Sequence, residues 1–263
     1  MKLLFWNLAK NKNEKYLKEL IVEHSVDLLI LSEFQATDLP LVISELNYEY
    51  NLYKGYGGCN KVVLIARKDT DVTICREQER YTIYSCNVAN CMYIIVGIHL
   101  PANPYSNSED RKCVIRDLVV HINEIERELK NSNTIVIGDY NASPFDEELI
   151  QKDSFNAVLY KNLILQSENI TSNGKKYRRF YNPMVNFISE ASQNYGSLYY
   201  GSGINTLYWH CFDQVIVRKP LVNLIFEIRY FKTINNKSLL SRFQPNKKIS
   251  DHLPLFVQFE RME

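Results

Sequence analysis

The chain has 263 residues, 46% hydrophobic and 23% charged, which is the balance of a globular protein with enough apolar residues for a sizeable core. No run approaches the ~18 consecutive apolar residues of a membrane-crossing helix, and the apolar start MKLLFW is too short for the core of a secretion signal, so a cytoplasmic protein without membrane insertion is expected. The charges nearly cancel: 31 Lys and Arg against 30 Asp and Glu give +1, which argues neither for nor against a polyanionic partner and leaves that question to local clusters.

Short runs rich in Val, Ile and Leu recur along the chain and read as strands. KLLFW (2–6) comes first, and a helix over 12–24 follows, with Tyr16, Leu17, Leu20 and Ile21 on one face. DLLILS (27–32) is the next strand. Then 62–67, 71–76, 81–87 and 92–99 follow each other with short breaks, as in an antiparallel meander. A long helix over 107–130 takes Ser108, Glu109 and Asp110 as its cap and first turn, and NTIVIG (133–138), FDQVIV (212–217) and LPLFVQF (253–259) complete the strands. Parallel units beside a meander predict an α+β protein: a four-layer α/β sandwich of two mixed, mainly antiparallel sheets packed face to face and flanked by helices. With no repeat or linker, one domain over 1–263 is the simplest organisation. Cys59, Cys75, Cys86, Cys91, Cys113 and Cys211 show no CxxC pair or metal-type spacing and are expected to be reduced and mostly buried.

The informative pattern is where polar residues interrupt these runs. Four strands end on one: Asn7, Glu33, His99, and Asp139 with Asn141. Two late strands begin on one: Asp213 precedes QVIV, and Asp251-His252 precede LPLFVQF. If the late strands run antiparallel to the early ones, all six ends meet on a single rim. Four carboxylates gathered there would repel one another without a cation, and oxygen donors suit Mg²⁺, with Mn²⁺ as a substitute, better than Zn²⁺.

In order, WNL (6–8), SEF (32–34), HLP (99–101), GDYNASPFD (138–146), FDQV (212–215) and SDHLPL (250–255) resemble the signatures of the endonuclease/exonuclease/phosphatase superfamily, the DNase I-like and exonuclease III-like group, across essentially the whole chain. The resemblance implies a metal-dependent phosphoesterase. It makes Glu33, Asn7 and Asp251 the metal ligands, and Asp139 the group that orients or deprotonates the attacking water. Asn141 would hold a phosphate oxygen, His252 oriented by Asp213 would stabilise the transition state, and His99 would contact the phosphate or assist the leaving oxygen. Ala9-Lys10 stand where exonuclease III-like enzymes carry a glycine, which weakens abasic-site repair, and the plain SDHLPL weakens phosphoinositide turnover. The longer pattern is similar to bacterial members of the group. His24 and His121 read as structural, as does His210, although it is near Asp213.

The stretch 174–209 is the candidate substrate selector. GKKYRRFYNPM sets Lys175, Lys176, Arg178 and Arg179 among Tyr177, Phe180 and Tyr181, and Tyr195, Tyr199, Tyr200, Tyr208 and Trp209 follow. Cations interleaved with aromatics can neutralise phosphates and stack bases, which makes Lys175, Lys176, Arg178, Arg179 and Tyr181 candidate substrate-binding residues. The same residues can equally be a packed loop with a solvated face. The leading expectation is a nuclease or phosphodiesterase acting on DNA or RNA. A phosphatase of small-molecule or lipid phosphoesters is the alternative, and a non-catalytic binding module is disfavoured by the intact rim.

Overall fold

The computed structural model describes residues 1–102, 107–189, 193–201 and 206–261. Thirteen strands in two sheets carry the architecture. In chain order they are β1 (Lys2–Asn7), β2 (Leu28–Ser32), β3 (Tyr50–Tyr53), β4 (Val62–Arg67), β5 (Asp71–Gln78), β6 (Tyr81–Val88), β7 (Cys91–His99), β8 (Thr134–Asp139), β9 (Ala157–Val158), β10 (Phe180–Tyr181), β11 (Asp213–Val217), β12 (Ile225–Tyr230) and β13 (Leu255–Phe259). The first sheet has the order β12-β13-β1-β2-β4-β3 and the second β5-β6-β7-β8-β11-β10-β9. Only β1–β2, β7–β8 and β9–β10 pair in parallel; the other neighbours are antiparallel, so the sheets are mixed and mainly antiparallel, as the sequence predicts.

The apolar alternation of β7 and β8 separates two cores. Ile94, Val96, Ile98 and Val136 point outward and pack against Ile115, Leu118, Ile122 and Ile125 of helix α2 (Ser108–Glu128). Ile95, Ile135, Ile137, Val215 and Val217 point inward, into the cluster shared with Leu3, Phe5, Leu28 and Ile30 of the first sheet. Helix α1 (Glu14–His24) adds Leu17, Leu20 and Ile21 to that cluster. The sheets approach closely at Gly97, where an added Cβ would lie 3.2 Å from Ile30 Cγ2 and 3.4 Å from Val62 Cγ2.

Two expectations shift. The run 62–67 does not lead the meander. It pairs with β2 and β3 in the first sheet, and the chain crosses between sheets just before β5, leaving β5-β6-β7 as the meander. The long helix is capped one residue before Ser108: Asn107 Oδ1 accepts the amides of Glu109 and Asp110, and Asp110 reaches back to the Asn107 amide. Of the cysteines, Cys59, Cys86 and Cys211 are buried, Cys75 and Cys91 half-buried and Cys113 exposed, all free thiols.

Strand direction sets up the rim. The last residues of β1, β2, β7 and β8 and the first residues of β11 and β13 fall at the same end of the sandwich: Asn7 pairs with Ser32, His99 with Asp139, and Asp139 with Asp213. Gly138 makes the close β7–β8 pairing possible, since an added Cβ would sit 1.9 Å from the Ile98 carbonyl oxygen. Because that obstacle is backbone, Gly138→Ala is expected to cost about 3 kcal/mol or more in urea unfolding, and a loss below about 1 kcal/mol would show that the strands can simply part.

Candidate active site

Side-chain parity, more than loop geometry, aims the polar groups. Ile95, Ile135 and Ile137 face the partner sheet, so two-residue alternation turns His99 and Asp139 the same way, and Val215 does this for Asp213. Leu3 and Phe5 do the same for Asn7. The inter-sheet core therefore ends in polar residues, all but the last row being hydrocarbon. Asp139 and Asp213 are 1% and 0% exposed, and Asn7 is fully buried.

The groups converge. Asn7 Nδ2 donates to Glu33 Oε1 at 3.2 Å and to Asp139 Oδ2 at 3.0 Å. His99 Nε2 lies 3.6 Å from Glu33 Oε1 and 3.7 Å from Asp139 Oδ2. On the other side of Asp139, His252 Nε2 is 3.9 Å away, while its Nδ1 sits 2.8 Å from Asp213 Oδ2. Asp251 Oδ1 lies 4.0 Å from His252 Nε2 and its side chain is 40% exposed, at the mouth of the cluster. Asn141 follows at positive φ (+47°), its amide bonded to Asp139 Oδ1 in an Asx turn and its Nδ2 donating to the Leu100 carbonyl at 2.9 Å. All eight rim residues named from the sequence are thus at one end of the sandwich.

The backbone is strained around them. Glu33 has φ +46°, and Ala9 and Lys10 have +48° and +59° in the turn that brings the Lys10 amide to the Glu33 carbonyl at 2.7 Å. Ala9-Lys10 thus adopt, at a cost of roughly 1–2 kcal/mol per residue, the conformation that a glycine takes freely.

Supporting contacts went unpredicted. Ser250 Oγ donates to the Asn7 carbonyl at 2.7 Å and accepts the His252 amide at 3.0 Å. Trp6 Nε1 donates to the His252 carbonyl at 3.0 Å, and the Tyr230 hydroxyl donates to the Asp213 carbonyl at 2.5 Å. Trp6 and Ser250 were visible as the extra letters of WNL and SDH; Tyr230, inside an ordinary strand, left no signal.

Charge follows from burial and neighbours. Burial pushes the Asp213 carboxyl up to about 6 against the pull of His252. Burial opposes the His252 cation too, but the charge and hydrogen bond of Asp213, with Asp139 and Asp251 adding to them, together outweigh it and raise the imidazole to about 10. Between those values the two form a buried ion pair. His99 has no such partner: burial lowers it, opposed by Asp139 and Glu33, so it favours the neutral ring. His99 Nδ1 and Asp213 Oδ1 are buried and have no hydrogen-bond partner among the described residues.

Glu33, His99 and Asp139 bring one potential ligand atom each within 4.8 Å of one another, as do Asp139, Asp213 and His252. Crowded carboxylate oxygens with buried, unpartnered polar atoms fit a hard divalent cation.

The cationic stretch lies elsewhere. Tyr181 pairs with Val217, the far end of β11 from Asp213, roughly 13 Å along the strand at ~3.3 Å per residue. Arg178 forms an ion pair with Glu126, which also takes Arg218 Nε at 2.9 Å and Thr134 Oγ1 at 2.6 Å at the start of β8. Arg179 donates to the Ser167 carbonyl at 2.8 Å, Tyr181 is buried with its hydroxyl bonded to Asn186, and Lys175 and Lys176 are exposed on the same hairpin, Lys175 over the Tyr177 ring. These five candidate substrate residues therefore do not join the rim, because β10 pairs with the end of β11 far from Asp213. The later aromatics do come to the rim, through an isolated bridge between Leu198 and His252. His24 stacks on Phe231, His121 bonds the Tyr81 hydroxyl, and His210 stacks on Tyr200, all outside the cluster.

A two-sheet sandwich with an acidic and imidazole rim at the strand ends is the architecture of a phosphoester hydrolase of DNase I-like fold. Solved structures with this fold cover nearly the whole chain. A humanized TDP2 from D. rerio aligns with TM-score 0.62 at 13% identity over 99% of both chains. TDP2 from Caenorhabditis elegans aligns with 0.60 at 16% over 98% of this chain and 96% of that one, and the 3'-5' exonuclease NExo from Neisseria meningitidis with 0.56 at 14% over 99% and 100%. No curated protein matches by sequence. The Endonuclease/Exonuclease/phosphatase family model matches residues 4–252, and the chain belongs to that family.

The Asp213–His252 pair gives a direct test. In an Asp213→Asn variant burial is opposed only by Asp139 and Asp251, so the His252 imidazole should titrate well below its value in the unaltered protein, about 10, as read by histidine NMR. An unmoved titration would show that some other group holds the charge.

Proposed function

We propose that this protein is a Mg²⁺-dependent nuclease or phosphodiesterase that cleaves phosphodiester bonds of DNA or RNA, with Mn²⁺ able to substitute. The observation that carries this reading is the pairing, around one point, of an anionic half (Glu33 and Asp139, bridged by the Asn7 amide) with a buried cationic imidazole (His252) held by Asp213. Among the neighbours in fold, a D. rerio TDP2 is described with single strand DNA product and a NExo 3' phosphatase with a product DNA hairpin, which supports nucleic acid over a small phosphoester.

Glu33, Asn7 and Asp251 would hold the cation, which when bound neutralises the carboxylates and polarises a phosphate oxygen. Asp139, fixed by Asn7 and by the Asx turn, is the group placed to align a water and accept its proton. His252 presents Nε2–H toward the phosphate because Asp213 occupies Nδ1, and so meets the charge that builds on the phosphoryl oxygens. His99, favouring the neutral ring, can donate to a non-bridging or leaving oxygen. Asn141 retains one amide hydrogen beyond its bond to Leu100 for the same purpose.

Incubation with plasmid DNA, single-stranded RNA and a panel of phosphomonoesters should give polynucleotide cleavage with Mg²⁺ and none with EDTA. Asp139→Ala and His252→Ala should each lower kcat by about 10²–10³-fold or more. Cleavage that survives both substitutions would remove these residues from the chemistry, and turnover of monoesters alone would move the reading to a phosphatase.

Metal binding has its own readout. At a Mg²⁺ concentration of about 100 Kd the melting temperature should rise by roughly 5–10 °C, and Glu33→Gln should abolish the rise. An equal rise in the variant would place the ion elsewhere.

A further inference from the structure

The hairpin that pairs Leu198–Tyr199 with Trp209–His210 sits directly on the rim. The Leu198–His252 bridge is antiparallel, and the Leu253 amide donates to the Ser197 carbonyl at 2.8 Å, so the same register puts Tyr199 beside Asp251. Tyr199 is the hub of a ring cluster. Tyr208 stacks on it at 5.8 Å and 15°, while Trp209 and Phe243 meet it edge-on at 5.5 Å and 5.3 Å. The outer rings stay open: Tyr208 is 45% exposed and Phe243 60%. A cluster that only filled a satellite core would cover its large rings, and contiguous exposed aromatics mark a contact surface. Tyr208 is held at φ +59°, a conformation rare for a bulky side chain.

Exposed lysines sit on the two loops that adjoin the rim near Glu33 and Asp251. The Lys10 amide bonds the Glu33 carbonyl at 2.7 Å, and Asn11 Nδ2 bonds the Lys247 carbonyl at 3.2 Å, which ties this turn to the loop that leads into Asp251. Lys10, Lys247 and Lys248 are all exposed. The rim therefore combines an aromatic platform, an acidic phosphoester site and adjoining loops that carry exposed ammonium groups.

We propose that Tyr199, Tyr208 and Phe243 stack an unpaired base next to the scissile phosphate while Lys10, Lys247 and Lys248 hold the adjoining backbone phosphates, so that the substrate is a single-stranded end or gap. The inference rests on the nucleic-acid reading above. Duplex bases already stack on their neighbours and present only their edges in the grooves, so a ring face beside the phosphate site can be used only by a base outside the duplex.

The test uses the full chain with Asp139→Asn to stop turnover, in Mg²⁺, and a labelled single-stranded decamer, the same decamer as a duplex, and an abasic decamer. The single strand should bind more tightly than the duplex. Adding Tyr208→Ala and Phe243→Ala should weaken single-strand binding by on the order of tenfold or more and leave the abasic strand unaffected. Replacing Lys10, Lys247 and Lys248 with Ala should reduce the slope of log Kd against log salt by about 2. If the alanine pair unfolds, Tyr208→Leu with Phe243→Leu keeps the apolar area and removes the stacking. Equal loss for the base-bearing and abasic strands, or no loss, overturns the platform. A parent protein that binds no oligonucleotide overturns the nucleic-acid reading along with it, and that failure is recognised before any ring is changed.

Discussion

Carboxylate crowding is the constraint from which the rest of the molecule can be understood. Asp139 and Asp213 are opposite each other in the register of neighbouring strands, almost without solvent, and Glu33 reaches the first of them through Asn7. Such an arrangement would be unfavourable by itself. The protein answers it twice: with the imidazolium of His252 on one side, and on the other with an oxygen-rich space suited to a divalent cation. The strained turns at Glu33, Ala9 and Lys10 are tolerable because the sandwich behind them is fully packed hydrocarbon.

Much of this was readable from residues alone, and for identifiable reasons. Two-residue alternation in β7, β8 and β11 fixes which side chains face inward, and a polar residue closing an inward row has to lie at a strand end. The direction of the late strands then decides that the ends coincide. Asn7, Glu33, His99, Asp139, Asn141, Asp213, Asp251 and His252 were therefore recoverable.

The unreadable parts are those decided by long-range choice. The run 62–67 is an ordinary apolar strand, and nothing local says which sheet it joins. In 174–209, cations and aromatics looked like one segment because they are neighbours in sequence. Pairing splits them: Tyr181 goes to the far end of β11, whereas Leu198 goes to His252. Arg178 shows why composition misleads, since its charge is absorbed by Glu126 beneath Arg218 and Thr134. Phe243, which lies outside the suspect stretch, reaches the ring cluster through a different loop.

The hydrogen bonds from Trp6 to the His252 carbonyl and from Ser250 to the Asn7 carbonyl bear on how the molecule comes into being. They join segments from opposite ends of the sequence, with β13 inserted between β12 and β1. Contacts of such separation form slowly, because loop closure must precede any gain. During synthesis the early strands can collapse while the histidine, its aspartate neighbour and the strand that carries them are still missing. The rim is therefore complete only once these distant segments close on one another, and before that closure Asp139 lacks the imidazole that faces it.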